Sequence, residues 1–158
     1  MKKLLFTALL FVAAFYAGAQ STKPILQSIG VKVYPGAITY KQYMTESVAK
    51  ELLAYFNEDG FRLTGLYEKH MPVPNAEGLE WYVGGGGHFG LWNNSWRLRN
   101  PPSTAVFAIG VDGVLGLDYK IPSAPLAISF DWQPSFNLVG HTYFEGGWGG
   151  LAVRYTFK

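Results

Sequence analysis

Arg62, Glu68, Glu80, Asp112, Asp118, Lys120, Asp131 and Arg154 are the side chains of this sequence best suited to acid–base or ionic chemistry. Each sits at an alternate position of a stretch whose other positions are apolar, so each falls on the polar face of its segment. Two chemistries fit such a set. Neighbouring carboxylates could share a proton as a general acid and base. Alternatively, opposite charges enclosed together could pair and so avoid standing as isolated buried ions. The second reading fits charges that recur on one face of five segments, and no catalytic residue is assigned. Gly85-Gly-Gly-His-Phe-Gly90 has the GxGxxG spacing, yet a phosphate site needs a helix after it and Leu91-Trp-Asn-Asn94 is not one. Those glycines read as places where strands curve or neighbours come close. His70, His88 and His141 are scattered without metal-ligand spacing, and the chain has no cysteine. Neither a metal nor a cofactor is expected.

The segments that carry these residues alternate with period two. Leu126, Ile128, Phe130, Trp132, Pro134, Phe136 and Leu138 are apolar, whereas Ala127, Ser129, Asp131, Gln133, Ser135 and Asn137 between them are small or polar. A strand with that pattern faces two different media. At ~3.3 Å per residue it reaches about 43 Å, and a tilt near 40° leaves roughly 33 Å of height. That is enough to cross a hydrocarbon layer of about 30 Å.

The start of the chain reads as a secretory signal. Lys2 and Lys3 precede the apolar run Leu4–Phe15, and Ala17-Gly-Ala19 supplies a small-residue cleavage site. Residues 1–19 are therefore expected to be removed, leaving a single domain over 20–158. Cleavage would take two of the 13 Lys and Arg and none of the 11 Asp and Glu, so the exported chain is formally neutral. A nucleic-acid partner then has no electrostatic basis. No later run of about 18 apolar residues exists, so a membrane helix is excluded. Aromatics make up 16% and there are 19 glycines, a composition suited to a sheet in lipid. Such a sheet must close, because lipid cannot satisfy an open edge.

Taken in order, Ile25–Tyr34 alternates up to a Pro35-Gly36 turn, beyond which Ile38 and Tyr40 oppose Thr39, Lys41 and Tyr43. Residues 45–56 fit a helix through Val48, Leu52 and Phe56, and fit a strand equally well. The turn Asn57–Gly60 favours the strand, with Thr45–Ala49 as the connection before it. Strands follow over Phe61–His70, Leu79–Trp92, Ala105–Tyr119, Leu126–Leu138 and from Leu151 to Phe157. They are separated by 71–78, 93–104, 121–125 and 139–146. The expected fold is all-β: a closed, antiparallel, up-and-down transmembrane β-barrel of eight strands. With the C-terminus periplasmic, 35–36, 57–60, 93–104 and 139–146 face the exterior. The polar faces named above then line the barrel. Trp81, Trp92, Trp96, Trp132, Trp148, Tyr155 and Phe157 suit interfacial girdles.

Thr39-Tyr-Lys-Gln-Tyr43, Leu52–Phe56, Leu66-Tyr67, Pro72, Leu79–Gly90 and the ending Gly150-Leu-Ala-Val-Arg-Tyr-Thr-Phe157 resemble the small outer-membrane barrels of Gram-negative bacteria, the OmpX-like and OmpA-transmembrane-like group. The resemblance covers essentially the whole exported chain. Lys158 after the terminal aromatic and Pro134 within a strand depart from it. It implies residence in the outer membrane as a monomer among membrane lipids, and a structural or surface-interaction role without enzymatic activity or open pore. It also implies that Gly150, Val153, Tyr155 and Phe157 form a signal read by the barrel-insertion machinery. The loop Trp92–Pro102 is either a solvated connection or, through Trp96, Arg97 and Arg99, a contact for lipopolysaccharide phosphates or an external partner. Two other functions compete. One is a barrel enzyme modifying lipid A or phospholipid, which needs His with Ser or an acid clustered at one rim. The other is a secreted lipocalin-like binder, which needs the polar faces turned outward.

Overall fold

The computed structural model describes residues 26–58, 60–94, 98, 106–140 and 142–158. The signal segment 1–19 and loop residues Trp96, Arg97 and Arg99 lie outside them. The strands are β1 (Gln27–Lys32), β2 (Ala37–Thr45), β3 (Val48–Asn57), β4 (Gly60–Pro72), β5 (Leu79–Trp92), β6 (Phe107–Lys120), β7 (Leu126–Trp132), β8 (Ser135–Val139), β9 (Phe144–Glu145) and β10 (Gly150–Phe157). Pairing is antiparallel throughout and follows chain order from β1 to β6, after which β6 pairs with both β7 and β8. The last strand, β10, pairs with both β7 and β1, from Gln27↔Phe157 to Lys32↔Ala152, and so closes the sheet. With β7 and β8 as one stave and β9 a short flap on β8, the wall is a closed eight-stranded antiparallel barrel. Closure leaves no open ladder around the wall.

The sequence leaves 45–56 open between helix and strand. It is a strand, and the connection before it shortens from Thr45–Ala49 to the two residues Glu46 and Ser47. Side-chain chemistry gives the reason. A helix would put Glu51 and Leu53 on different faces from their partners, whereas the strand buries Ala49, Glu51, Leu53 and Tyr55 together.

Leu126–Leu138 does not run as one ladder. Pro134 has no N–H to donate, and regular pairing with β6 stops at Leu115↔Trp132 and resumes at Asp112↔Ser135. Two residues lie between those pairs on each strand, so register survives the break. The Pro134 carbonyl still accepts from the Gly113 N–H at 2.8 Å. Alternation survives as well. Asp131, Gln133, Ser135 and Asn137 are buried, while Trp132, Phe136 and Leu138 are 53%, 41% and 55% exposed.

The same inversion holds around the wall. Ile29, Val31, Ile38, Val83, Phe89, Ile109, Val111, Leu115, Leu117, Ile128, Phe130, Leu151 and Val153 point outward, whereas Lys32, Lys41, Glu51, Arg62, Glu68, Asp118 and Arg154 are almost fully buried. Burying ions and exposing aliphatics reverses the usual partition of a water-soluble protein.

Interior width is set in part by glycine. A Cβ at Gly110 would lie 2.2 Å from the Phe136 carbonyl oxygen and 2.5 Å from His88 Cε1, whereas one at the outward Gly65 would meet nothing within 4 Å. Overpacking of this kind costs about 1–3 kcal/mol. Gly110→Val should therefore lower the yield of folded barrel on refolding into detergent, and Gly65→Ala should leave it unchanged. Equal yields by gel mobility of unheated samples would refute the packing argument.

Candidate functional site

The interior is the chemically dense part of the molecule. Four buried cations, Lys32, Lys41, Arg62 and Arg154, face five buried carboxylates, Glu51, Glu68, Asp112, Asp118 and Asp131. Strand alternation puts all nine inside, and pairing between adjacent staves sets which of them meet.

At the end that holds both termini, Lys41 on β2 is the hub. Its Nζ lies 2.8 Å from Glu68, 3.1 Å from Glu51 and 4.0 Å from Asp118, and 4.3 Å from the centre of the Tyr82 ring. Arg154 on β10 reaches the same acids from across the lumen, Glu51 at 3.1 Å and Asp118 at 3.3 Å. Thr39 donates a short hydrogen bond to Glu51. His70 lies between two carboxylates, with Nε2 3.0 Å from Glu68 and Nδ1 3.1 Å from Glu80. Toward the rim Lys120 bonds both oxygens of Glu80 at 2.9 Å, with part of each side chain open to solvent.

Midway up, Lys32 pairs with Asp131 at 2.8 Å, and the Tyr82 hydroxyl donates to the other oxygen of Asp131 at 2.9 Å. The Tyr55 hydroxyl shares its one proton between Gln133 Oε1 at 2.8 Å and the Trp148 carbonyl at 3.1 Å.

At the opposite end, Arg62 pairs closely with Asp112 and reaches Glu145 at 3.2 Å. Its guanidinium lies 4.1 Å from the centre of the Trp148 ring. Trp148 lies in Gly146-Gly-Trp-Gly-Gly150 and turns into the mouth beside Tyr55 and Trp92. Its indole N–H donates to Glu145 at 2.6 Å. Above it lies an open pocket of about 310 Å³ lined by Pro35, Glu145, Gly146, Gly147 and Trp148.

One grouping looks like acid–base machinery. His88 Nδ1 is 2.8 Å from Asp112 Oδ2. A catalytic histidine needs its second nitrogen free for a nucleophile or substrate, and here Nε2 is held by Asn137 Oδ1 at 2.7 Å. Both His88 and Asp112 are buried, and Arg62 neutralises the acid. The geometry serves to tie β4, β5, β6 and β8 together. Among the described residues, no group of three or more His, Asp or Glu side chains is placed to hold a metal ion.

Of the eight charges singled out from the sequence, Arg62, Glu68, Asp112, Asp118, Asp131 and Arg154 are buried, while Glu80 and Lys120 lie at the rim. They form separate clusters rather than one. Lys32, Lys41 and Glu51 belong with them and are missing from that set. The signal was present in the short hairpin, whose register sets Lys41 directly opposite Glu51. Trp92 and Trp148 are corrected from girdle to interior, being 6% and 7% exposed, whereas Trp81, Trp132, Tyr155 and Phe157 do point outward. Close packing after Trp148 needs glycine, since a Cβ at Gly149 would lie 2.2 Å from the Asp131 carbonyl oxygen and one at Gly150 2.0 Å from that of Tyr34. Of the terminal residues singled out, Gly150 is buried and Val153, Tyr155 and Phe157 face outward.

Neither a protein-family model nor a curated protein sequence matches the chain. Among solved structures, it is similar to the N-terminal β-barrel domain of Pseudomonas aeruginosa OprF, at 17% identity and a TM-score of 0.59, over 84% of this chain and 96% of that one. At that identity the likeness establishes the barrel fold.

Removing one partner of a buried pair leaves an uncompensated charge, a loss of about 3–5 kcal/mol. Arg154→Met should destabilise the barrel by that order in denaturant titrations of refolded protein, because Glu51 and Asp118 would then share only Lys41. Adding Glu51→Gln should restore part of the loss. Additive losses in the double variant would show that the two groups are not coupled.

Proposed function

We propose that the protein is an integral outer-membrane β-barrel with a structural or surface-interaction role, closed to solute passage and without enzymatic activity. The observation that carries this reading is the inverted partition, with ion pairs inside an eight-stranded cylinder and aliphatic side chains over its outside. In lipid that arrangement is favourable. An arginine or lysine turned to the bilayer midplane costs roughly 2–4 kcal/mol, whereas the interior offers each a carboxylate. The interior of a barrel this size fills with side chains, and the Lys41, Lys32 and Arg62 clusters and Trp148 occupy its successive levels. This supports a closed barrel.

The apolar run and cleavage site in residues 1–19 support export, and within the outer-membrane barrels the strand motifs support the OmpX-like and OmpA-like group. Short turns at 46–47 and 121–125 lie at the same end as both termini, while the longest connection lies at the other. Outer-membrane barrels keep short turns periplasmic and longer loops outside, which orients the Trp148 mouth toward the exterior. A monomer among membrane lipids fits a wall with no open edge. In this reading Trp96, Arg97 and Arg99, by residue type, contact lipopolysaccharide phosphates or an external partner. Val153, Tyr155 and Phe157, with Gly150, form the pattern offered to the barrel-insertion machinery. A lipocalin-like binder would need Asp131 and Arg154 outside and an apolar interior; both side chains are buried.

Expressed with its first 19 residues, the protein should appear in the outer-membrane fraction, resist carbonate extraction, and migrate differently on gels before and after boiling. Complete release by carbonate would contradict the reading. Deleting Phe157 together with Lys158 should reduce the membrane-inserted fraction severalfold in pulse-labelled cells while leaving refolding into detergent intact. Undiminished insertion would remove the role given to the terminal aromatic.

A further inference from the structure

Positions that face outward along the eight staves are apolar, small or neutral, with two exceptions. Lys50 and Lys69 are the only charged side chains among the described outward-facing strand residues. Their direction follows from their neighbours. Ala49 and Glu51 on either side of Lys50 are buried, as are Glu68 and His70 on either side of Lys69, so both lysines must point away from the lumen.

The two are close in space. Register pairs Lys50 with Tyr67 and Lys69 with Val48 across β3 and β4, which makes the lysines diagonal neighbours about 7–8 Å apart at the Cβ atoms. Lys50 is also paired on its other side with Gln42, and Gln42 with Gln27. A row of Gln27, Gln42, Lys50 and Tyr67 therefore crosses four staves, with Lys69 one step beyond Tyr67 toward the turn. The Tyr40 hydroxyl donates to Gln27 Oε1 at 2.8 Å beside this row.

The height of the pair matters as much as its charge. Both lysines lie next to the Glu46–Ser47 turn, at the end of the barrel that holds the termini. His70 N donates to the Ser47 carbonyl at 2.8 Å, and Lys69 Nζ donates to Ser47 Oγ at 3.1 Å. A lysine that is costly at the midplane costs little near the interface, where its ammonium meets lipid headgroups.

We infer that Lys50 and Lys69, with Tyr67 and Gln42, form a binding site on the outer wall for the phosphate of an anionic phospholipid in the leaflet bordering the turn at 46–47. This inference rests on the membrane reading above and names the lipid that the wall selects. Two ammonium groups converge on one phosphate, and neutral donors from Tyr67 and Gln42 flank it. On the midplane side of the pair the wall of Leu52, Ala54 and Leu63 is apolar, as a surface for the acyl chains must be.

Full-length folded protein in nanodiscs of mixed phosphatidylglycerol and phosphatidylcholine, released into native mass spectrometry, gives the test. The wild type should retain phosphatidylglycerol over phosphatidylcholine. Each lysine near an anionic surface contributes a factor of about five, so Lys50→Gln with Lys69→Gln should lower the preference more than tenfold. Lys50→Arg with Lys69→Arg should keep it. The gel shift on boiling reports folding separately in every sample. A wild type without preference, or a folded glutamine double variant that retains it, overturns the site and leaves the membrane reading standing. Protein that enters no bilayer of either composition overturns both.

Discussion

Everything in this barrel depends on keeping its ionic side chains on the inner face of the wall. Lys41 and Arg154 are the clearest case. They lie on staves separated by β1, and both converge on Glu51 and Asp118, which come from β3 and β6. Four staves, of which only β2 and β3 are neighbours, are thereby cross-linked through the lumen. A slip of one residue in any stave would turn its ion outward and an aliphatic side chain inward. The network thus fixes the register of pairing, whatever its net contribution to stability.

The same requirement explains the irregular features. Pro134 breaks the ladder but adds no residue, so Asp131, Gln133, Ser135 and Asn137 remain inside. Glycines such as Gly110 give His88 room against the opposite strand. Gly146 to Gly150 fold Trp148 into the mouth, where Arg62 and Glu145 hold it. The two outward lysines lie beside a turn, where a charge can reach the polar surface of a bilayer.

Much of the wall was legible in the chain because period two is a local signal. In Phe61–His70 and Leu126–Leu138, alternation alone separates the two faces, and the structure keeps that separation. The segment 45–56 was ambiguous for a physical reason, since a short apolar run satisfies both 3.6 and 2.0 periods. Which charges meet across the lumen was beyond reach. Arg154 meets Glu51 across 103 positions, and no local pattern encodes a contact set by closure of the sheet. Trp148 misled because Trp near a strand end suits an interface and a packed mouth equally, and only the loop path decides.

Fluorescence quenching by lipids brominated on their acyl chains tests the inverted partition most directly. In vesicles, a variant retaining only Trp132 should be strongly quenched, because that ring lies on the outer wall. One retaining only Trp148 should keep its emission, shielded inside the mouth by Tyr55 and Arg62. Strong quenching of Trp148, or none of Trp132, would contradict the account.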